Sequence, residues 1–310
     1  MPQISANGLK LEYETFGHAS KPAILLIMGL GSQMVLWPDA FCQRLAAAGY
    51  YVVRFDNRDV GLSSKLDHLG KPHLMRTSLR YTLGLKVRAP YLLDDMAADA
   101  VGLLDALHIK NAHVVGASMG GMIAQLIAAK HGARVRSLTS IMSSSGHRWL
   151  PGPAWPVRLR LVKRPTTFDR DSLIAHGMTT WRMIGSPGFV EDEAVLRAKI
   201  SGQIDRGVHP PGFVRQIAAI MASGSRVPLL KRIKAPVLII HGKHDPLVRV
   251  AAAHNLAKHL PDAKLEIIDG MGHDLPSALL PRIEQLILHH LKHAERDHAR
   301  AAPGAERRRA

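Results

Sequence analysis

Six short strand-like runs, separated by stretches of helical spacing, restrict this chain more than any other feature of its sequence. They are Ala23 to Met28, Tyr50 to Phe55, Ala112 to Ala117, Val135 to Met142, Val237 to His241 and Lys264 to Ile268. The first is apolar throughout and bounded by turn residues, the mark of a strand buried on both faces. Helical patterns lie between and after the runs: Trp37 to Ala48 with Gly49 as its stop, Leu92 to Leu107, Gly120 to His131 closed by Gly132, Val250 to His259, and Pro281 to Lys292. Strands that alternate with helices predict an α/β fold, a mostly parallel sheet flanked by helices. Ahead of the first run, two short strands are expected to turn at Asn7-Gly8, a favourable hairpin pair.

The rhythm stops at Ser143 and resumes near Val237. The intervening residues are rich in Pro, Gly, Trp and Met, with short helical patterns and no convincing strand. A helical insertion between two sheet strands is expected to form a cap over one end of the sheet. The expected organisation is a first core part over residues 1–142, a cap over 143–233, a second core part over 234–294, and a disordered polar tail over 295–310.

The formal charge of +16 raises the question of an anionic partner. Cations concentrate at Lys71 to Arg88, Arg148 to Arg170 and Arg307 to Arg309, but no nucleic-acid motif accompanies them and aromatic residues make up only 5%. The surplus is read as that of a basic soluble enzyme, with at most a weak, salt-dependent attraction of the basic cap to anionic lipid. Neither a nucleic acid nor an obligate protein partner is expected. The N-terminus has no signal-peptide pattern, and no run approaches the roughly 18 apolar residues of a spanning helix. The lone Cys42 excludes an internal disulfide. Cytoplasm is therefore the expected location.

The chemistry is legible at Gly116-Ala117-Ser118-Met119-Gly120, a match to G-x-S-x-G with a strand before it and a helix after it. That strand-to-helix turn lifts a serine hydroxyl above the C-terminal edge of the sheet, where α/β folds bind ligands. A hydroxyl needs a base to take its proton, and on this fold the acid and then the histidine follow the serine in chain order. Asp245, just beyond the strand ending at His241, and His273, within Gly270-Met271-Gly272-His273, occupy those places. His273 is expected to be the base and Asp245 to fix its tautomer. Backbone N–H groups of Met119 and of Leu30, in Met28-Gly29-Leu30-Gly31, are the expected oxyanion donors. His241, His244 and Asp245 have no further ligand motif beside them, so no metal is expected. His289, His290 and His293 are read as a solvated helix face.

These motifs, together with Trp37-Pro38, Arg54-Phe55-Asp56-Asn57-Arg58-Asp59 and His244-Asp245-Pro246, resemble the α/β-hydrolase family. Within it they are similar to the branch of aclacinomycin methylesterase and related bacterial carboxylesterases. The resemblance spans both core parts up to about Lys292; in the cap it is loose, though Arg215-Gln216, Ser223 and Arg226 look familiar. It implies hydrolysis of a small-molecule ester without a cofactor, and a structural role for Asp56 and Arg58 in supporting the oxyanion loop. Met28 departs from the histidine common at its position, with little consequence because the donor is main-chain. Related aminopeptidases hold an amine with acidic cap residues, whereas this cap is basic around Arg158, Arg160, Lys163 and Arg164, so peptidase action is not expected. Trp149, Trp155, Trp181, Met178, Met183, Phe189, Phe213 and Met221 are expected to divide between the cap's own core and an apolar pocket. They favour an ester with an apolar acyl or alcohol part. Carbon–carbon bond hydrolysis or perhydrolysis by the same triad, and a ligand-binding receptor with little turnover, are the alternatives.

Overall fold

The computed structural model describes residues 2–163, 165, 167–260 and 262–301. Its first strands, β1 (Gln3–Ala6) and β2 (Leu9–Phe16), form an antiparallel pair. Asn7 and Gly8 join them at φ 49° and 76°, the left-handed pair that a two-residue hairpin requires. There follow β3 (Ala23–Ile27), α1 (Asp39–Ala47), β4 (Tyr51–Phe55), α2 (Leu74–Thr82), α3 (Leu93–Ala106), β5 (Ala112–Ala117), α4 (Met119–Lys130) and β6 (Val135–Ile141). Five helices then intervene: α5 (Trp155–Val162), α6 (Arg170–Ile184), α7 (Glu193–Arg206), α8 (Pro210–Ser223) and α9 (Val227–Leu230). The chain returns to the sheet with β7 (Val237–Gly242), α10 (Ala251–His259), β8 (Lys264–Ile268) and α11 (Leu280–Ala301). Among the described residues the strands form one sheet in the order β1-β2-β4-β3-β5-β6-β7-β8. From β4 onward neighbouring strands run parallel.

Alternation along the strands feeds two separate cores. On β3, Leu25 and Ile27 pack with α3 and α4 on one face, while Ile24 and Leu26 pack with α1 and α11 on the other. A strand covered on both faces has no solvated side for polar residues, which explains the uninterrupted apolar run. Each such side chain, fully buried, contributes roughly 2–3 kcal/mol. The cap has its own small core of Ile174, Met178 and Ile200, on α6 and α7.

Two elements differ from the sequence expectation. Residues 71–88 read only as a cluster of charge, yet they contain α2. The C-terminal helix was expected to end near Lys292 with a disordered tail from residue 295; instead α11 continues to Ala301. Glu295 gives a physical reason. Its carboxylate accepts hydrogen bonds from His113 (2.9 Å) and from Arg136, both on the sheet. The bond from His113, against the opposing effect of burial and with the help of Arg136, holds its pKa down to about 2. Residues 302–310 of the expected tail lie outside the described residues.

His290 also departs from its expected place on a solvated face: His289 and His293 are exposed, but His290 is buried. It shares the inner stripe of α11 with Ile283, Ile287, Leu291 and Ala294. Burial, aided by nearby His113, lowers its pKa from 6.5 to about 4. Between those values the unfolded chain binds a proton that the folded chain refuses. The contribution to stability is therefore fully present above pH 6.5 and is lost as pH falls through about 4. The loss amounts to about 3 kcal/mol. Denaturant unfolding at neutral pH and near pH 4 is expected to show it, and His290→Leu should flatten that slope. An unchanged pH slope in H290L would take His290 out of the account.

Candidate active site

Ser118 stands between β5 and α4 at φ 54°, ψ −118°. A serine in this region is strained by about 1–3 kcal/mol, and its neighbours hold it there. Its N–H donates to the Ile141 carbonyl (2.8 Å) at the end of β6, and Ser143 Oγ donates to its carbonyl (2.7 Å). A β-carbon on Gly116 would collide with the carbonyl of Gly120, and one on Gly120 with the carbonyl of Ile27. Glycine at both places is what lets strand, turn and helix close so tightly.

The three residues expected to act together are brought together. His273 Nε2 lies 3.0 Å from Ser118 Oγ, and His273 Nδ1 lies 2.6 Å from Asp245 Oδ2. Asp245 and His273 are buried. The other carboxylate oxygen, Asp245 Oδ1, accepts from the N–H groups of Leu247 (2.8 Å) and Val248 (2.7 Å). His241 Nε2 donates to the Val248 carbonyl (2.7 Å) and braces the loop that carries Asp245. Burial pushes the His241 pKa down and keeps this ring neutral. The two acids nearest His273 in sequence stand elsewhere: Asp269 is exposed and paired with Lys243 at 3.2 Å, and Asp274 turns to Ser186. Burial raises the pKa of Asp274.

The loop Met28-Gly29-Leu30-Gly31 lies directly against the serine, where a β-carbon on Gly29 would stand 3.1 Å from Ser118 Cβ. Met119, the residue after Ser118, opens α4, so its N–H has no intrahelical partner. Among the described residues neither the Leu30 nor the Met119 N–H donates to a protein acceptor. The loop is fixed from below and above. Asn57 Nδ2 donates to the Met28 carbonyl (3.0 Å), and Asp56 accepts from the N–H groups of Met34 (2.8 Å) and Leu62 (2.9 Å). Gln216, on cap helix α8, accepts from the Gly31 N–H (2.8 Å) and donates to the Arg58 carbonyl (2.9 Å). Arg58 is bidentate to Asp99 (2.6 and 2.7 Å), and Arg215 is bidentate to Asp59 (2.8 and 2.7 Å). Sequence reasoning marked Arg215-Gln216 only as a familiar pair; its function as a bolt between cap and core needs the third dimension.

The cap also grips the histidine loop. The His273 N–H donates to the Ile184 carbonyl (2.7 Å), and the Gly272 N–H to Ser186 Oγ (2.9 Å). Between cap and sheet lies a cavity of about 130 Å³. Met28, Met142, Trp181, Leu196 and Ile200 give it apolar walls, and Leu275 and Asp274, next to His273, close one side. Its two carboxylates are already engaged, Glu191 by Lys199 and Ser277, Asp274 by Ser186. Of the cap side chains expected in core or pocket, Met178 is in the cap core and Trp181 borders the cavity, while Phe213 lies against Gly31. Trp149 and Trp155 belong to neither: they are 77% and 69% exposed.

Residues 18–277 match the family model described as serine aminopeptidase, S33. Rhodomycin D methylesterase of Streptomyces sp. (strain C5) is 30% identical, over 94% of this chain and 98% of that protein. The 3-oxoadipate enol-lactonase 2 of Acinetobacter baylyi is 28% identical over 86% of this chain and 87% of its own length. In three dimensions the enol-lactonase of Burkholderia xenovorans LB400 superposes with a TM-score of 0.73 at 22% identity, over 94% of this chain and all of that one. On its fold and on the extent of these matches, the chain belongs to the α/β-hydrolases, in the family described as serine aminopeptidase, S33.

Proposed function

We propose that the protein hydrolyses carboxylic esters of apolar, medium-sized molecules through an acyl-enzyme on Ser118. The observation that carries this reading is the unbroken hydrogen-bonded chain from Ser118 through His273 to Asp245, beside an apolar cavity. His273 Nε2 takes the hydroxyl proton as Ser118 Oγ attacks the ester carbonyl, and then gives it to the leaving alcohol. Water, deprotonated by the same nitrogen, releases the acid. Asp245, anchored by two N–H groups, keeps the proton on Nδ1 and stabilises the imidazolium. The N–H groups of Leu30 and Met119 receive the oxyanion, each worth roughly 3–4 kcal/mol in the transition state. No step asks for a cofactor. The methylesterase and enol-lactonase relatives favour ester substrates. A peptidase would need a charged, unpaired carboxylate for its substrate's amine; Glu191 at the cavity is paired with Lys199, and burial disfavours the charged form of Asp274. Carbon–carbon bond hydrolysis is the second reading, favoured by a 26% identical relative named 2-hydroxy-6-oxononadienedioate/2-hydroxy-6-oxononatrienedioate hydrolase. A cytoplasmic place of action belongs to the same proposal.

Turnover of p-nitrophenyl esters, with a phosphonate labelling Ser118 stoichiometrically, is the expected result. Absence of both would leave a ligand-binding protein. Ile200→Trp, which fills the cavity, should raise KM for a hexanoyl ester about tenfold relative to an acetyl ester, on the order of one or two misplaced methylenes. An unchanged chain-length preference in I200W would move the substrate's apolar part out of this cavity.

A further inference from the structure

The exposed tryptophans belong to a larger surface. No Asp or Glu stands between Asp67 and Asp94, nor between Asp105 and Asp169. The first of these stretches contains α2, whose amphipathicity is inverted. Met75 and Leu79, four residues apart, point outward with Leu83 one turn on, and Met75 is 80% exposed. The side chain this helix buries is the polar Thr77. Arg76 stands beside the outward stripe, and Lys86 and Arg88 follow it, all exposed. The second stretch contains α5, which presents Trp155 and Leu159 at the same four-residue spacing, with exposed Arg158 between them and exposed Lys163 after them.

Arg148 joins the two. Its guanidinium stacks 4.7 Å over the Trp149 ring, and it lies so close to the turn after α2 that a β-carbon on Gly84 would be 2.9 Å from its Nη2. Trp149, Leu83 and their surroundings therefore form one apolar crest set among cations. Large exposed apolar patches mark interaction sites. An outward apolar helix face beside Lys and Arg is the chemistry of a helix lying in the headgroup layer of an anionic membrane, with tryptophan at the same depth.

We propose that this crest docks on an anionic lipid surface. Charge selects the occupant. A second copy seated symmetrically would set these two cationic stretches, neither with an Asp or Glu of its own, against themselves, which like-charge repulsion opposes. A nucleic acid would satisfy the cations but leave Met75, Leu79 and Leu83 without a partner. The start of α5 also lies on the acid loop, where the Ala154 N–H donates to the Pro246 carbonyl (2.8 Å). Docking therefore sets the bilayer beside the C-terminal edge of the sheet. This proposal concerns binding and stands whether or not the ester reading holds.

The test is co-sedimentation of the full chain with vesicles of phosphatidylcholine alone, and of equal parts phosphatidylcholine and phosphatidylglycerol, at low and high salt. Binding to the anionic vesicles at least about tenfold tighter than to the neutral ones at low salt, and weaker at high salt, is expected. The combined variant Leu79→Glu, Leu83→Glu and Trp149→Ser, all at exposed positions, should lose at least about tenfold of that binding. Its circular dichroism and melting should match the parent, which separates lost docking from lost folding. Equal or absent binding to the two vesicle types overturns the proposal. So does a folded variant that still binds like the parent, because the basic surplus would then act without the crest. A concentration-dependent dimer that the variant abolishes would assign the surface to a second copy instead.

Discussion

Ser118→Ala is expected to abolish ester turnover, by on the order of a millionfold in kcat, while the protein stays folded. Alanine shares the β-carbon of serine, so the strained backbone at φ 54° is kept and only the hydroxyl goes. The groups that hold that backbone, Ile141 and Ser143, bond to main-chain atoms of residue 118 and survive the change. What disappears is the proposed nucleophilic oxygen and its 3.0 Å hydrogen bond to His273. The N–H groups of Leu30 and Met119 and the cavity remain, so residual catalysis over water is expected from them. Steady-state kinetics on a p-nitrophenyl ester, with a melting curve beside them, make the check. An S118A protein that keeps a tenth of the parent's turnover would end the nucleophile assignment.

Asp245→Asn should cost on the order of ten thousandfold in kcat, and the local hydrogen bonds say why so small a change has so large an effect. Oδ1 of residue 245 is held by the N–H groups of Leu247 and Val248. An asparagine keeps its oxygen there, because its amide nitrogen cannot accept from them. The nitrogen then faces His273 Nδ1 across the present 2.6 Å contact and donates to it. Nδ1 becomes the acceptor, the ring proton moves to Nε2, and the nitrogen facing Ser118 can no longer take a proton. A pH–rate profile should show the loss on the plateau, with partial recovery at high pH where hydroxide replaces the base. Asp269→Asn and Asp274→Asn are the controls. If either damaged turnover more than D245N, the acid would have to be reassigned.

The sheet and the serine could be read from the sequence because each depends on local pattern. A strand buried on both faces is apolar in every position, as Ala23 to Ile27 are, and a nucleophile turn needs glycine where backbones touch, as at Gly116 and Gly120. Asp245 and His273 followed from chain order, since a parallel sheet returns successive loops to one edge. What stayed hidden depends on partners distant in sequence. Gln216 and Ser186 look like ordinary cap residues until the loops they hold are seen. Helix α2 was hidden because its apolar stripe faces solvent and its inner side is polar, the reverse of the usual pattern. His290 is hidden for a different reason: histidine stands on both faces of α11, at exposed His289 and His293 and, on the stripe of Ile283, Ile287 and Leu291, at buried His290, so residue type does not separate the faces.

The grips that the cap keeps on the sheet bear on how such a molecule can be altered. Gln216 fastens the loop of Gly31, and Ile184 and Ser186 fasten the loop of His273. The segment that shapes the cavity thus also sets the positions of the proposed oxyanion donor and the proposed base. Specificity and rate are then not separable modules in this chain. A foreign lid transplanted between β6 and β7 would arrive with a new cavity and a slackened floor. Only a graft that brings an amide to meet Gly31, and a carbonyl and a hydroxyl to meet His273 and Gly272, would inherit the chemistry along with the new shape.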